Sequence, residues 1–485
     1  MTGGRYDARP STGTVYGSSQ SVAAVLPANP PTVEQKSGKV KWIAAFVIVL
    51  LVSAGGGAAT ALRPWTQKPA VAFMPGLADE KQPVPVLEGA TRSGQPLTAD
   101  SVAKALGPAL ADSRLGPKVS SVVLDLETGD RLYDKSGDTL ATPASTIKLS
   151  TAAAALVARG SEYRIETKVV AGPNPGEVVI IGGGDVTLSV DGAGAYPGAG
   201  KLSDLATQVK TALAGQAVTK VIVDSSLFTG AGTGPGWAPA DIGSWVNTVV
   251  PLAVDGGRVD PKDPAGEGAK RQPDPAASAG SAFAKLLSTD KVSVVAGKAD
   301  VGAREYGKVL SPTIGRLVEF ALLRSDNVLA EALARQAALG RGKQASFEGA
   351  MEGVQEAVAG LGLTPPTGQV DGSGMSPKNQ VPASYLGGLF VRAAKPDHPE
   401  LRYLFTGLPV AGFSGGLDPR YPPTADGTGV VRAKTGTLTG VDALAGVITT
   451  KSGRAVVFVV MADASPSFAD ARPAIDKAAG QLAKL

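Results

Sequence analysis

The 485-residue chain has no cysteine and a single histidine, His398. The first absence excludes disulfides, thiolate-held zinc and a cysteine nucleophile. The second excludes a metal site of several histidines. A catalytic histidine would have to be His398, which stands beside a proline in the loop-like run KPDHPEL. Neither sign of charge is in large excess, with a net +4 at pH 7 and basic residues scattered along the chain. No nucleic-acid-binding motif stands out, so nucleic acid is not an expected partner. Nothing in the composition calls for a cofactor or a metal. The length is too great for one average domain and suggests two or three.

Long apolar runs are scarce, with one exception. WIAAFVIVLLVSAGGGAATAL, residues 42–62, has no charged side chain and is long enough to cross a bilayer as a helix. Residues 1–41, rich in Gly, Ser, Thr and Pro, read as a disordered tail too long for a signal-peptide n-region. Lys36, Lys39 and Lys41 precede the span, so the positive-inside bias puts the tail in the cytoplasm and everything after Leu62 outside it. Trp42 and Trp65 suit the two interfaces. Cleavage near AATA is the alternative. Residues 63–95 carry five prolines and read as a linker off the membrane.

The folded part starts with LTADSVAKALGPALADS, a helix capped by Thr98. KVSSVVLDLETGDRLYDK is a hairpin signal. Near the other end, GVVRAKTGTLTGVDALAGVITTKSGRAVVFVVMAD reads as three strands, and PSFADARPAIDKAAGQLAKL as an amphipathic helix. Strands from both ends can share one sheet with the first and last helices on one face: an α/β sandwich interrupted in the middle. The expected division is residues 96–159 and 309–485 for the two parts of this domain. Residues 160–308, with short β-like runs and one helix-like segment, SDLATQVKTALAG, form a β-rich insert.

Which serine could be a nucleophile? GFSGG at 412–416 matches a nucleophile elbow, but it lies in Gly/Pro loop and has no histidine after it. ATPASTIKLST at 141–151 offers Ser145 and Lys148 at i and i+3, on one face of a helix start followed by apolar turns. Free N–H groups there suit a developing oxyanion. Burial and the same positive potential disfavour a protonated lysine, so Lys148 can be a neutral amine that takes the serine proton. The Ser–x–x–Lys spacing recurs at Ser288 and Lys291, in a turn-like context. Two further motifs follow in order. RSDNVLAE supplies Ser325, Asp326 and Asn327; RAKTGTLTG supplies Lys434, Thr435, Gly436 and Thr437 on an expected strand.

The ordered set S-x-x-K, S-D-N, K-T-G resembles the serine penicillin-recognising enzymes, the penicillin-binding proteins and serine β-lactamases. The wide gap between the first two boxes, together with VIIGGGDVTLS, VIVDSSLFTGAGTGPGWAP, VDGSGMSPKN and LPVAGFSGGLD, resembles the class C low-molecular-mass penicillin-binding proteins. These are D-alanyl-D-alanine carboxypeptidases and endopeptidases of the penicillin-binding protein 4 type. Val186 stands where that family usually has proline, and Met375-Ser-Pro where Leu-Ser-Arg is common. The resemblance implies the transpeptidase-like fold: an antiparallel five-stranded sheet flanked by helices, with a domain inserted between the first two motifs. It implies peptidoglycan stem peptides as substrate and β-lactams as inhibitors. Ser145 would attack, Lys148 would be the base, and the N–H groups of Ser145 and Thr437 would hold the oxyanion. Ser325 and Lys434 would relay a proton to the leaving amine, and Asn327 would bind the substrate amide. Lys434, Thr435 and Thr437 would hold the terminal carboxylate, and Gly436 would let substrate lie along the strand edge. The balance of carboxypeptidase and endopeptidase action stays open, and the alternatives are a β-lactamase or esterase on the same scaffold, or a non-catalytic cell-wall-binding scaffold. Asp326 fits a helix cap as well as a catalytic role, while Asp185, Asp371 and Ser373 fit turn architecture.

Overall fold

The computed structural model describes residues 96–263, 265–288 and 291–485. The tail, the apolar span at 42–62 and the linker lie outside the described residues. Among the described residues no helix is long and apolar enough to cross a membrane.

Chain ends build the main sheet. Its strands run Val431–Leu438, Val441–Thr449, Ala455–Asp463, Lys118–Asp125, Arg131–Lys135, all antiparallel. The central strand AVVFVVMAD is apolar on both faces because both faces are covered. On one side lie the helices Ala99–Leu110 and Phe468–Ala483, joined through Leu106, Phe458, Ile475 and their neighbours. Thr98 caps the first of them by accepting from Ser101 N–H. On the other side lies a helical layer: Lys148–Arg159, Ile314–Arg324, Asn327–Gly340, Phe347–Gly360 and Ala383–Ala393. The helix Lys148–Arg159 is buried from its first residue through Leu156, and its run of alanines lets neighbouring helices approach closely. A Cβ on Gly340 would come within 2.5 Å of the Ala158 carbonyl oxygen.

A second five-stranded sheet is mixed. Its order is Glu305–Thr313, Arg164–Ala171, Glu177–Ile181, Lys220–Asp224, Ser293–Ala296; the first two pairings are antiparallel and the last two parallel. Parallel neighbours need crossovers. The helices Leu202–Leu213 and Pro275–Leu287 cover one face of the sheet. The segment is thus β-rich, with the expected helix Leu202–Leu213 and a second, Pro275–Leu287, that the patterning did not suggest. The second helix, PAASAGSAFAKLL, is built of small residues whose periodicity is weak, although Asp274 caps it and Pro275 opens it. The strand Glu305–Thr313 also carries the second sheet past residue 308, where helix had been expected to resume.

Candidate active site

Ser145 sits in a 3₁₀ turn, Ala144–Ile147, that runs straight into the helix Lys148–Arg159. Ala144 has φ +46°, a left-handed conformation that a β-carbon disfavours. Two glycines clasp this strained turn. A Cβ on Gly374 would lie 2.1 Å from the Ala144 carbonyl oxygen, and one on Gly436 would lie 2.6 Å from that of Pro143. Gly436 is thus required on the inner side, where the strand Val431–Leu438 meets the backbone of the serine turn. The strand is an edge strand, and among the described residues Thr435–Leu438 have no strand partner on the cleft side.

The Lys148 amine is buried and lies 2.9 Å from Ser145 Oγ, 2.6 Å from Asn327 Oδ1 and 2.5 Å from the Ser373 carbonyl oxygen. Burial pulls its ammonium down to about 8; the more distant Asp371, Glu331 and Asp326 oppose that effect. Lys434 is also fully buried. Its amine donates to Ser325 Oγ at 2.9 Å and to the Thr435 carbonyl at 2.7 Å. Burial first, then Lys148 and Arg420, push it well below the ordinary lysine range. Ser325 ends the helix Ile314–Arg324 at φ +60°, so a second strained residue faces the site. Two serine–lysine pairs therefore meet in one cluster, with both amines buried and both serines partly exposed. Ser145, Lys148 and Asn327 share direct hydrogen bonds, Ser325 and Lys434 form the second pair, and Gly436 joins the two halves through the serine turn. Thr435 and Thr437 follow on the edge strand, both half-buried.

The profile of the D-Ala-D-Ala carboxypeptidase 3 (S13) family matches residues 102–272 and 267–485. A carboxypeptidase of Mycobacterium tuberculosis is 38% identical over 390 residues, covering 78% of this chain and 83% of that protein. The D-alanyl-D-alanine carboxypeptidase of Actinomadura sp. (strain R39) is 30% identical, covering 72% of this chain and 79% of its own. The chain belongs to the S13 carboxypeptidase family. Its fold matches the crystal structure of penicillin binding protein 4 from Haemophilus influenzae, with a TM-score of 0.63 at 20% identity over 80% of this chain and 100% of that one.

In this family member, several residues outside the motifs shape the site. Glu331 Oε1 accepts from the N–H groups of Gly372 and Ser373 at 3.0 and 2.8 Å, which turns the Ser373 carbonyl toward Lys148. Glu331 is held by Arg335 at 3.1 Å, and Arg335 lies over the Phe347 ring at 4.1 Å. An acid and a base at i and i+4 inside the apolar run NVLAEALARQAAL was the readable signal. Asp371 behaves as turn architecture. It accepts from Gly374 N–H, Ser376 N–H, Asn379 Nδ2 and Trp237 Nε1, each at 2.8–2.9 Å.

Asp326 caps the helix Asn327–Gly340 through Leu329 N–H. Its other oxygen meets Tyr196 Oη and Arg258, 3.4 Å away. Arg258 continues to Glu267 at 2.5 Å, and Glu267 to Arg271 at 3.3 Å. Residues between the first two motifs thus form a buried charge chain that ends on the S-D-N motif. The same segment supplies the Trp245 carbonyl, which accepts from Asn327 Nδ2 at 2.9 Å and so turns Oδ1 toward Lys148. His398 is remote from all of this and pairs with Glu400 at 2.9 Å. Ser414 Oγ only ties its own loop, accepting from Val410 N–H.

Proposed function

We propose that the chain is a serine-type D-alanyl-D-alanine carboxypeptidase that trims peptidoglycan stem peptides through an acyl-enzyme on Ser145. The observation that carries this is the 2.9 Å contact between Ser145 Oγ and an amine whose burial draws it toward neutrality. Lys148 takes the serine proton as Oγ bonds to the carbonyl carbon between the two D-alanines. The oxyanion forms at the helix start, against the N–H groups of Ser145 and Thr437. Lys148 passes that proton through the Ser325–Lys434 pair to the departing amine, which leaves as free D-alanine and returns Lys148 to its neutral form. Water then cleaves the ester, with Lys148 again the base. Asn327 serves the substrate amide, and Thr435 and Thr437 its carboxylate. The same acyl transfer on a cross-linked stem is endopeptidase action, read with a muropeptide dimer. A β-lactam would acylate the same serine.

The apolar span at 42–62 and the lysines before it support a single-pass anchor, with the tail cytoplasmic and the catalytic part in the cell-wall space. One experiment tests both readings: a membrane-impermeant labelled penicillin added to intact cells, with D-alanine release from a pentapeptide measured on the purified full-length protein. Expected are a label on Ser145, lost in Ser145→Ala, and stoichiometric D-alanine. A wild-type protein that takes up no label and releases no D-alanine refutes the peptidase. Labelling only after lysis refutes the topology.

A further inference from the structure

The insert carries a cleft of its own, about 490 Å³, with Asp255 set in its wall. Asp255 is only 5% exposed. Its Oδ1 accepts from Ala195 N–H at 2.7 Å, and Gly194 packs so closely that a Cβ there would lie 2.1 Å from the same oxygen. Among the described residues its Oδ2 has no hydrogen bond and no ion pair. Arg258 is near, but its Nη1 donates to the Asp255 carbonyl at 3.0 Å, and its guanidinium pairs with Glu267 at 2.5 Å and Asp326 at 3.4 Å. A carboxylate this buried is costly to keep ionised while one oxygen goes unanswered. Burial holds the Asp255 carboxyl above its ordinary range and Asp191 adds to that, against the pull of Ala195 N–H and Arg258.

What would answer that oxygen? Asp191 and Asp260 line the same cleft with Lys262, so that with Arg258 committed elsewhere the acids outnumber the cation. The start of the helix Pro275–Leu287 borders it too, but Asp274 already caps that end through Ala277 N–H. Among the described residues no group of three or more acidic or histidine side chains could hold a metal ion. A neutral hydroxyl would give Oδ2 a proton and leave the charge standing. An ammonium does both: it is compact, carries three donors and cancels one negative charge. The backbone holds the acceptor in place, since Asp255, Gly256 and Gly257 follow one another at φ +51°, +64° and +75°, and aspartate is among the few side chains that tolerate this region.

We propose that this cleft is a binding site for a primary ammonium group, with Asp255 Oδ2 as its acceptor and Asp191 supplying further negative charge at the rim. Arg258 lines the cleft and also reaches Asp326, so an occupant sits one side chain away from the S-D-N motif. Two sources carry such a group: the side-chain amine of a diamino acid in an uncross-linked stem peptide, and a free diamine. The site stands apart from the peptidase reading.

Isothermal titration of the full-length protein, with and without benzylpenicillin on Ser145, compares three probes. They are cadaverine, an N-acetylated stem tripeptide ending in lysine, and the same tripeptide with its side-chain amine also acetylated. Acetylating that amine should weaken binding at least about 10-fold, and Asp255→Asn should weaken binding of the amines about 10- to 100-fold. Asp191→Asn should cost about 2- to 5-fold. Asparagine keeps the shape and tolerates the left-handed backbone, and a cooperative urea transition shows that each variant is folded. Should Asp255→Asn not fold, the acetylation contrast and Asp191→Asn decide. Tighter binding of the peptide than of cadaverine assigns the amine to an uncross-linked stem, and the reverse assigns it to a free diamine. Wild type that binds neither amine overturns the proposal, as does unchanged affinity in folded Asp255→Asn or equal affinity for the acetylated peptide. A protein that takes up no penicillin would count against the peptidase reading alone, because Asp255→Asn still reads the cleft.

Discussion

Lys148 can accept a proton from Ser145 only when it carries none. Its surroundings set where that happens: burial lowers it to about 8, against the pull of Asp371, Glu331 and Asp326. The rate of Ser145 acylation by benzylpenicillin should therefore climb as pH rises toward about 8 and level beyond it, because the protonated fraction is inactive. Stopped-flow acylation between pH 6 and 9.5 reads this limb. A rate constant flat across that range would remove Lys148 as the base. At this scale much of the site was legible, because Ser145 and Lys148 are local partners at helical spacing and the other two boxes are short. The Ser373 carbonyl was not legible, since any residue can present one. The tight contact behind Gly436 was not either, because it arises from a distant turn.

Between elements, the S-D-N motif is held by side chains that no spacing rule connects. Asp326 is buried and meets Arg258, 68 residues earlier, which also holds Glu267 and Tyr196. Burial raises Glu267 to about 7, and the neighbouring Asp326 adds to this. Removing Arg258 would leave the buried Asp326 carboxylate without its ion-pair partner and Glu267 with Arg271 alone, a change worth about 3–5 kcal/mol in comparable pairs. Arg258→Met should lose about that much in urea unfolding and slow acylation, since Asn327 follows directly on Asp326. Asp326→Asn should also destabilise, but the double variant should lose much less than the sum. Strictly additive losses would show that the two do not act as a unit. The sequence read a β-rich insert with one helix here, and the structure adds a second helix. Its apolar β-like runs are strong signals, whereas the Ala- and Ser-rich helix Pro275–Leu287 is held by packing on the sheet.

Across the whole molecule, the buried titratable groups tie the working pH to stability. Stability rises with pH wherever the unfolded chain holds more protons than the folded one. Asp185 is fully buried and raised to about 6 by that burial, so the folded state keeps a proton that the unfolded chain gives up near 4. Stability should fall as pH climbs from about 4 to 6 on this account. Lys148 acts in the opposite sense. Between about 8 and its ordinary 10.5 the unfolded chain is protonated there and the folded one is not, so stability should recover over that interval by roughly 3 kcal/mol. The fold is thus least favoured in the range where the amine must be poised to lose its proton, a cost that belongs to the site and not to the core. Lys148→Met separates the two contributions. The hydrogen bonds it removes shift its stability by an amount nearly independent of pH, but the alkaline rise should shrink to the share that Lys434 supplies, while the acid-side fall remains. Asp185→Asn should shrink the acid-side fall, to which Glu267 also contributes, and leave the alkaline rise in place. Urea unfolding of the three proteins from pH 4 to 10 reads both slopes. Parallel curves for wild type and Lys148→Met above pH 8 would mean that the folded protein keeps the Lys148 proton there, and the neutral-amine mechanism would lose its base.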